Sequence, residues 1–456
     1  MGRTMLTAKP SAIGALDSRE ATGISPMARR AAISSTLGSA LEWLDFTAYG
    51  AIAATVLPAQ FFPTMDPGTA ILASFATFGV GFVARPAGGV VLGILGDRLG
   101  RKNVLLYTLV MMGVASFLIG VLPNYASIGL WAPGLLVVLR FLQGFALGGE
   151  STGAQLLTME HAPADRRGFF GSLINIGAPT AQVVSNGLLF LIAAALTPEQ
   201  FGSFGWRIPF LLSVLLVLLG VYIRLKVEET PAFQHMKAHE AEAKSGKAKP
   251  SAPAVSVLRD YGGTVMRLLL FWAAPAACFY VVTVFSLGYV TKVIGVSNQT
   301  AFLCLMGANL VAMVTTLVAG AASDRFGRKP PLIICSLILI AIALAYFPMI
   351  STGNAFLIFL GMSIFAGTIQ AESGILPAFF AEPFPTPVRY TGSALAYTGA
   401  NLAFAGPAPF VAAWLMQASG GQVWVLAAGC VVITVVSLIA LLASPETRDF
   451  DLDRDV

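Results

Sequence analysis

Twelve apolar runs follow one another along the chain, at roughly 33–62, 70–95, 103–122, 130–157, 169–196, 207–226, 265–291, 299–321, 331–350, 354–380, 391–416 and 421–443. Each is near the ~20 residues a helix needs to cross the ~30 Å hydrocarbon layer of a bilayer. Only 11% of the 456 residues are charged, against about 25% in a soluble domain, so one aqueous core has no means of covering this much apolar surface. Lipid offers no partner to a free backbone N–H or C=O, which leaves helices or a closed barrel. The ten-residue alternation of barrel strands is absent. The expected fold is therefore an all-α integral membrane protein with twelve transmembrane helices.

Against a twelve-helix count, the 28 Lys and Arg residues fall on one side of the membrane, all but Arg85, Arg140, Arg207 and Lys292. The positive-inside rule makes that side cytoplasmic and puts both termini there, in a multi-pass plasma membrane, bacterial inner membrane in type. The net charge of +5 belongs to this asymmetry; no basic stripe with interleaved aromatics points to nucleic acid. Cys278, Cys304, Cys335 and Cys430 sit in or beside apolar runs without CxxC spacing and read as packing residues. The first thirty residues lack the short apolar core of a cleaved signal, so the first span is expected to direct insertion. The reading divides the chain into an N-terminal tail (1–32), a six-helix bundle (33–226), a polar linker (227–264), a second six-helix bundle (265–443) and a C-terminal tail (444–456). His235 and His239 in the linker read as a solvated turn rather than a metal site.

The chain repeats itself. GILGDRLGRK at 93–102 returns as GAASDRFGRK at 320–329. Glu150, Glu160 and Arg167 return as Glu372, Glu382 and Arg389 at a constant offset. Two landmarks per half, each after the same-numbered helix, indicate duplicated bundles related by an axis along the membrane normal. In the repeated loops, Asp97 and Asp324 are suited to accept from helix-terminal amides and basic side chains. The basic residues Arg98, Arg101, Arg325 and Arg328 face the anionic leaflet. With Glu160, Arg167, Glu382 and Arg389 they form a candidate charge latch between the bundles.

Ionisable groups inside the oil cost several kcal/mol unless paired or hydrated, and so mark candidate function. They are Glu42 and Asp45 in the first helix, Arg85 in the second, Arg140 and Glu150 in the fourth, and Glu372 in the tenth. Glu42 and Asp45 share a helix face. At 1.5 Å per residue, Arg85 lies about 18 Å from Asp97 and Glu42 about 18 Å from Arg30, near the midplane. A carboxylate pair facing a guanidinium there would form a proton and anion site; a buried ion-pair lock is the structural alternative. Gly149–Gly153 matches GxSxG, but it follows an apolar helix with no strand-to-helix elbow and no His partner, so a serine hydrolase is set aside. No nucleophile, base or metal set suggests an enzyme.

The motifs GSALEWLDFTAYG (38–50), ARPAGGVVLGILGDRLGRK (84–102), RFLQGFALGGESTG (140–153), GWRIPF (205–210), EETPAF (228–233) and FPTPVRYTG (384–392) resemble those of the major facilitator superfamily. Within it they are similar to the metabolite:proton symporters, carriers of organic acids such as α-ketoglutarate, citrate and shikimate or of proline and betaine. The resemblance covers about 30–448. It implies alternating access by rocking of the two bundles about a midplane site, powered by the proton gradient with no cofactor. It also marks Glu42, Asp45, Arg85, Arg140 and Glu150 as family-matching charges. The chain departs from the pattern at Leu44, Pro383 and Pro387, and QAESG in the tenth helix adds Glu372 to the pathway. The expected activity is proton-coupled symport of a small organic acid by a functional monomer whose partners are that solute, protons and the bilayer. Asp45, with Glu42 and Glu150, would carry the proton, and Arg85 or Arg140, with Glu372, would meet the substrate. A zwitterion such as proline or betaine is the alternative cargo.

Overall fold

The computed structural model describes residues 43–99, 101–148, 162–215, 218 and 254–450. Among the described residues the chain forms twelve helical rods. The first bundle holds α1 (43–55, carried on by Leu57–Phe61), α2 (Pro67–Leu99), α3 (Arg101–Val121), α4 (Trp131–Leu147), α5 (Arg167–Asn175, continued by Gly177–Ala195) and α6 (208–215, entered through a 3-10 turn at Gly205–Arg207). The second holds α7 (Ala254–Phe271, continued through Ala273–Tyr280 to Val293), α8 (Asn298–Phe326), α9 (Lys329–Ser351), α10 (Ala355–Ala381), α11 (Thr386–Ala400, resumed at Ala408–Ala418) and α12 (Val423–Leu442). Eight described rods are long and apolar enough to cross a membrane by themselves. Their outer faces carry exposed Val83 and Val90 on α2, Val314 and Val318 on α8, and Val432 and Ile439 on α12, the side chains lipid tolerates.

Inside each bundle, small residues set the spacing. A Cβ on Gly144 of α4 would overlap the carbonyl oxygen of Gly81 in α2, and one on Gly148 would overlap that of Arg85, so the two backbones meet directly. Between the bundles, α5 packs on α8 and α10, and α2 packs on α11. The first seam is equally close: a Cβ on Gly320 would stand 2.5 Å from Ser172 Cβ and 2.7 Å from the Gly168 carbonyl. At the opposite end Phe201 meets Phe302 with tilted rings, their centroids 6.0 Å apart. The bundles therefore touch both at the end bearing the repeated basic motifs and at the far end.

Two boundaries differ from the sequence expectation. The linker read as 227–264 ends earlier, because α7 is already helical from Ala254. Its added turns are amphipathic, with Arg259 and Asp260 exposed and Val257 buried, so apolar-run length alone does not register them. The repeated motifs are helix ends rather than loops: α2 continues through Asp97 and Arg98, and α8 through Asp324 and Arg325 before Gly327 turns the chain at φ 91°. Two short π-helical stretches, Val281–Phe285 and Tyr289–Val293, interrupt α7, and a third, Asn401–Ala405, interrupts α11. Such bulges are frequent where a helix lines a site.

Candidate functional site

At the motif end, the turn between α8 and α9 is held from three directions. Arg328 is fully buried; its Nη2 donates to Glu382 Oε1 at 2.8 Å and its Nη1 to Asp324 Oδ1 at 2.7 Å and Ser323 Oγ at 3.0 Å. Asp324 also reaches across the bundle boundary. It accepts from the backbone N–H groups of Gly168 (2.7 Å) and Phe169 (2.8 Å) in the first turn of α5, where free amides and the helix dipole favour an anion. Thr447 donates to Glu382 Oε2 at 2.6 Å, so the segment after α12 closes the cluster.

Glu446 caps α9 from the same segment, accepting from the backbone amides of Arg328 (2.8 Å), Lys329 (2.9 Å), Thr447 (3.0 Å) and Arg448 (3.1 Å). Partial burial pushes its carboxyl up, but the four amides outweigh that and hold it below the usual carboxylate range. Lys329 Nζ bonds the Ser444 carbonyl at 2.6 Å, near the end of α12, and Arg167 Nη1 bonds the Phe450 carbonyl at 3.3 Å. The stretch expected as a tail is thus, through Phe450, part of the motif cluster. Arg325 rests over the Phe326 ring at 5.2 Å, and Arg389 is buried with its Nε on the Phe384 carbonyl at 3.2 Å.

Deeper in the first bundle, four buried side chains form one directed line. Arg140 Nη1 donates to Gln143 Oε1 (3.1 Å), Gln143 Nε2 donates to Ser116 Oγ (2.6 Å), and Ser116 Oγ donates to Asp45 Oδ2 (2.6 Å). Arg140 and Gln143 share a face of α4, Ser116 belongs to α3 and Asp45 to α1. The guanidinium of Arg140 is sheathed by rings, 4.1 Å from the centroid of Phe46, 4.2 Å from Tyr49 and 5.1 Å from Phe78. Its Nε and Nη2 are buried with no hydrogen-bond partner. Arg85 rests on the same aromatic group, 4.6 Å from Phe46 and 4.5 Å from Phe82.

The sequence offered two readings of these charges, a proton and anion site or a buried ion-pair lock. Among the described residues no ion pair joins Asp45 to Arg85 or to Arg140. Ser116 and Gln143 stand between Asp45 and Arg140 as hydrogen-bonded spacers, and both guanidiniums rest on Phe46 instead. Glu372 stands apart, buried inside the second bundle and accepting from Ser336 Oγ of α9 at 3.0 Å, with Oε2 unpartnered. It makes no hydrogen bond or ion pair with Asp45, Arg85 or Arg140. Glu42, Glu150 and Glu160 lie outside the described residues, as do the side chains of Asp97, Arg98 and Arg101.

Beside the arginines is a narrow space between the bundles, with room for roughly one water. Trp43, Phe46 and Thr47 of α1, Phe78 of α2, Gln182 and Asn186 of α5, and Tyr280 and Thr283 of α7 line it. Phe46 and Phe78 are shared by the cavity wall and the sheath of Arg140. The lining mixes flat apolar surface with a few amide and hydroxyl groups, the usual make-up of a small-molecule site. Ser116, Gln143, Gln182 and Asn186 were not legible as site residues, because uncharged polar side chains in an apolar run are common helix-packing groups; only the interval of three between Arg140 and Gln143 hinted at a shared face.

Twelve apolar helices in two abutting bundles around a small central cavity, with repeated basic motifs at one end, define a membrane transporter, and similarity to known proteins bears this out. The pattern of the sugar (and other) transporter family matches residues 31–454, and the chain belongs to that family, within the major facilitator superfamily. It is 39% identical to the inner membrane metabolite transport protein YhjE of Escherichia coli strain K12, over 91% of this chain and 94% of that protein. It is 38% identical to the shikimate transporter of the same strain, over 90% and 94%, and 34% identical to its proline/betaine transporter, over 92% and 84%. The resemblance to metabolite:proton symporters holds. Among solved structures, the partially occluded inward-open xylose transporter XylE from E. coli superposes with a TM-score of 0.72 at 18% identity, covering 94% of this chain and 100% of that one, which establishes the shared fold.

Proposed function

We propose that this transporter is a proton-coupled symporter of a small organic acid, in which Arg140 holds the substrate carboxylate and Asp45 carries the proton. The observation that carries the reading is the unpartnered edge of Arg140. With Nη1 committed to Gln143, Nε and Nη2 remain side by side, buried and unpartnered, and that edge of a guanidinium matches the two oxygens of a carboxylate. Arg85 makes the pocket more positive and is the second anion contact. An anion at Arg140 together with a proton on Asp45 leaves the site electrically balanced, the condition under which two bundles can slide past it through a low-dielectric interior. Glu42 and Glu150 remain candidates for the proton path, and Glu372, bonded to Ser336 within the second bundle, becomes a candidate for shaping that bundle rather than for substrate.

A zwitterion such as proline or betaine is favoured by one observation, the rings of Trp43, Phe46, Phe78 and Tyr280 in the lining, which suit a quaternary ammonium. Two guanidiniums already occupy the Phe46 faces, so a second cation would enter a positive field. The organic acid is therefore the preferred cargo. The relative named a shikimate transporter supports that choice, and the one named a proline/betaine transporter keeps the other under test. The asymmetry of Lys and Arg supports a bacterial inner-membrane protein with both termini in the cytoplasm; the proposed carrier works as a monomer on the proton gradient without a cofactor.

The test is uptake by reconstituted vesicles enclosing a pH-sensitive dye, challenged with shikimate, di- and tricarboxylates, proline and betaine. One of the acids should enter with acidification of the lumen. Asp45→Asn should retain exchange of that acid across the membrane and lose its accumulation against a gradient, while Arg140→Lys should lose affinity for it. Entry without any lumenal pH change would overturn the symport.

A further inference from the structure

The line from Arg140 to Asp45 has a polarity that the chemistry of its ends dictates. Arginine has donors and no acceptor, so the atom of Gln143 facing it is the amide oxygen, whichever way the side chain is drawn. The amide nitrogen then faces Ser116, which must accept from it. The Ser116 proton is left for Asp45, which, when ionised, is an acceptor only. All four residues are buried, at 0% exposure for Arg140, 1% for Gln143, 0% for Ser116 and 5% for Asp45, so water does not compete along the line.

We propose that Ser116 and Gln143 are positioning residues that report the charge of Asp45 to Arg140 while keeping the two apart, so that proton and substrate anion are sensed together without contesting one edge of the guanidinium. This rests on the symport reading above and adds how its two ligands are coupled. A direct ion pair would place the Asp45 carboxylate on the fork a substrate needs. The spacer instead occupies Nη1 alone and leaves Nε and Nη2 free. While Asp45 is ionised, each bond in the line is strengthened by the anion at its end, and Gln143 holds Nη1 firmly. When a proton arrives, the terminal acceptor becomes neutral, the line slackens, and Arg140 has lost the anion that reached it through the line. Its pull on an incoming carboxylate then rises. Proton and anion bind with mutual reinforcement, which is what symport requires.

Among the described residues, the other charged or titratable groups around this stretch are Tyr49 on α1, Arg85 on α2, Tyr280 on α7 and Tyr397 on α11; Glu42, on the same helix as Asp45, lies outside them. Tyr49 is tied to Thr77 at 2.6 Å, Arg85 to the rings of Phe46 and Phe82, and none of the four bonds Asp45. The path through Ser116 and Gln143 is thus the hydrogen-bonded connection among the described residues.

The experiment needs no substrate. Infrared difference spectra of the purified full-length protein are recorded from acid to mildly alkaline pH, with Asp45→Asn assigning the carboxyl band and Arg140→Lys assigning the guanidinium bands. In the wild type, the guanidinium bands should move with the midpoint of the Asp45 carboxyl. In Ser116→Ala and in Gln143→Leu that movement should be lost while Asp45 still titrates, and Ser116→Thr, which restores a hydroxyl, should bring it back. A residue that merely packs would leave the movement in place on removal. Guanidinium bands that still follow Asp45 in both Ser116→Ala and Gln143→Leu overturn the relay and leave the symport reading standing. A wild type with no carboxyl titration removable by Asp45→Asn overturns both, because the proton carrier itself is then misassigned.

Discussion

Asp324 accepts three N–H groups at once, from Gly168, Phe169 and Arg328, and two of these belong to the other bundle. Asp324→Asn keeps the shape and leaves one accepting oxygen. Its amide group must then face a donor, so at least one N–H of α5 is left bare and Arg328 loses an opposite charge. A hydrogen bond to a charged group contributes about 1.5–3 kcal/mol net. Losing the two cross-bundle bonds as charge-assisted interactions therefore weakens closure of this end by about 3 kcal/mol at the lower bound. At 1.4 kcal/mol per decade, the ratio of closed to open forms falls about 100-fold. Spin labels at Asp165→Cys and Tyr390→Cys, both exposed positions near the motif end, read the separation by double electron–electron resonance; the four native cysteines are buried. Wild type should give a short distance and Asp324→Asn a population shifted to a longer one. An unchanged distribution would refute the idea that this carboxylate holds the bundles together.

Gly144→Val inserts a side chain where α4 meets the Gly81 carbonyl, and overpacking of this kind costs about 1–3 kcal/mol; the melting temperature of the detergent-solubilised protein should fall, whereas Gly134→Ala, in open space on the same helix, should leave it unchanged. Glu446 is held below the usual carboxylate range by backbone amides, so its contribution to holding the segment after α12 is complete above the unfolded value of about 4.3 and fades as pH falls through the lower folded value. Proteolysis of that segment should accelerate in acid, and Glu446→Gln should be readily cleaved already at neutral pH, with a flatter pH response. Phe46→Leu removes the ring on which both guanidiniums rest; the ligand-free protein should melt earlier, by a margin that an added substrate acid narrows.

The apolar runs, the twelve-rod count and the duplicated motifs were readable in the sequence because bilayer thickness and the absence of water impose length and periodicity directly on the chain. The buried charges were readable for the same reason. Their partners were not. Whether Asp45 meets Arg85 or Arg140 depends on the rotation of α1 against α2, α3 and α4, and that rotation is set by Gly81, Gly144 and Gly148 letting α2 and α4 touch. Ser116 and Gln143 carry no charge to draw notice. The role of Glu446 was hidden differently: it lies in a short polar segment after the last apolar run, and only the fold brings it to the first turn of α9.

The aromatic sheath explains how a buried guanidinium with a bare edge remains tolerable. An unpaired buried charge costs several kcal/mol, and Arg140 has two N–H groups without a partner. It is nevertheless surrounded by Phe46, Tyr49 and Phe78 at 4.1–5.1 Å, and a desolvated cation over such a ring gains about 2 kcal/mol. The rings therefore offset most of the cost without satisfying the hydrogen bonds. That division matters: ring contacts are directionless enough to yield when Phe46 turns aside, whereas the bare N–H edge accepts only a partner with two oxygens in one plane. A site built this way holds its cation in oil by ring contacts and reserves its hydrogen-bonding capacity for a ligand of the matching shape. Arg85, resting on Phe46 and Phe82, is stabilised by the same means, so movement of the one ring they share would expose both cations to an arriving anion in a single step.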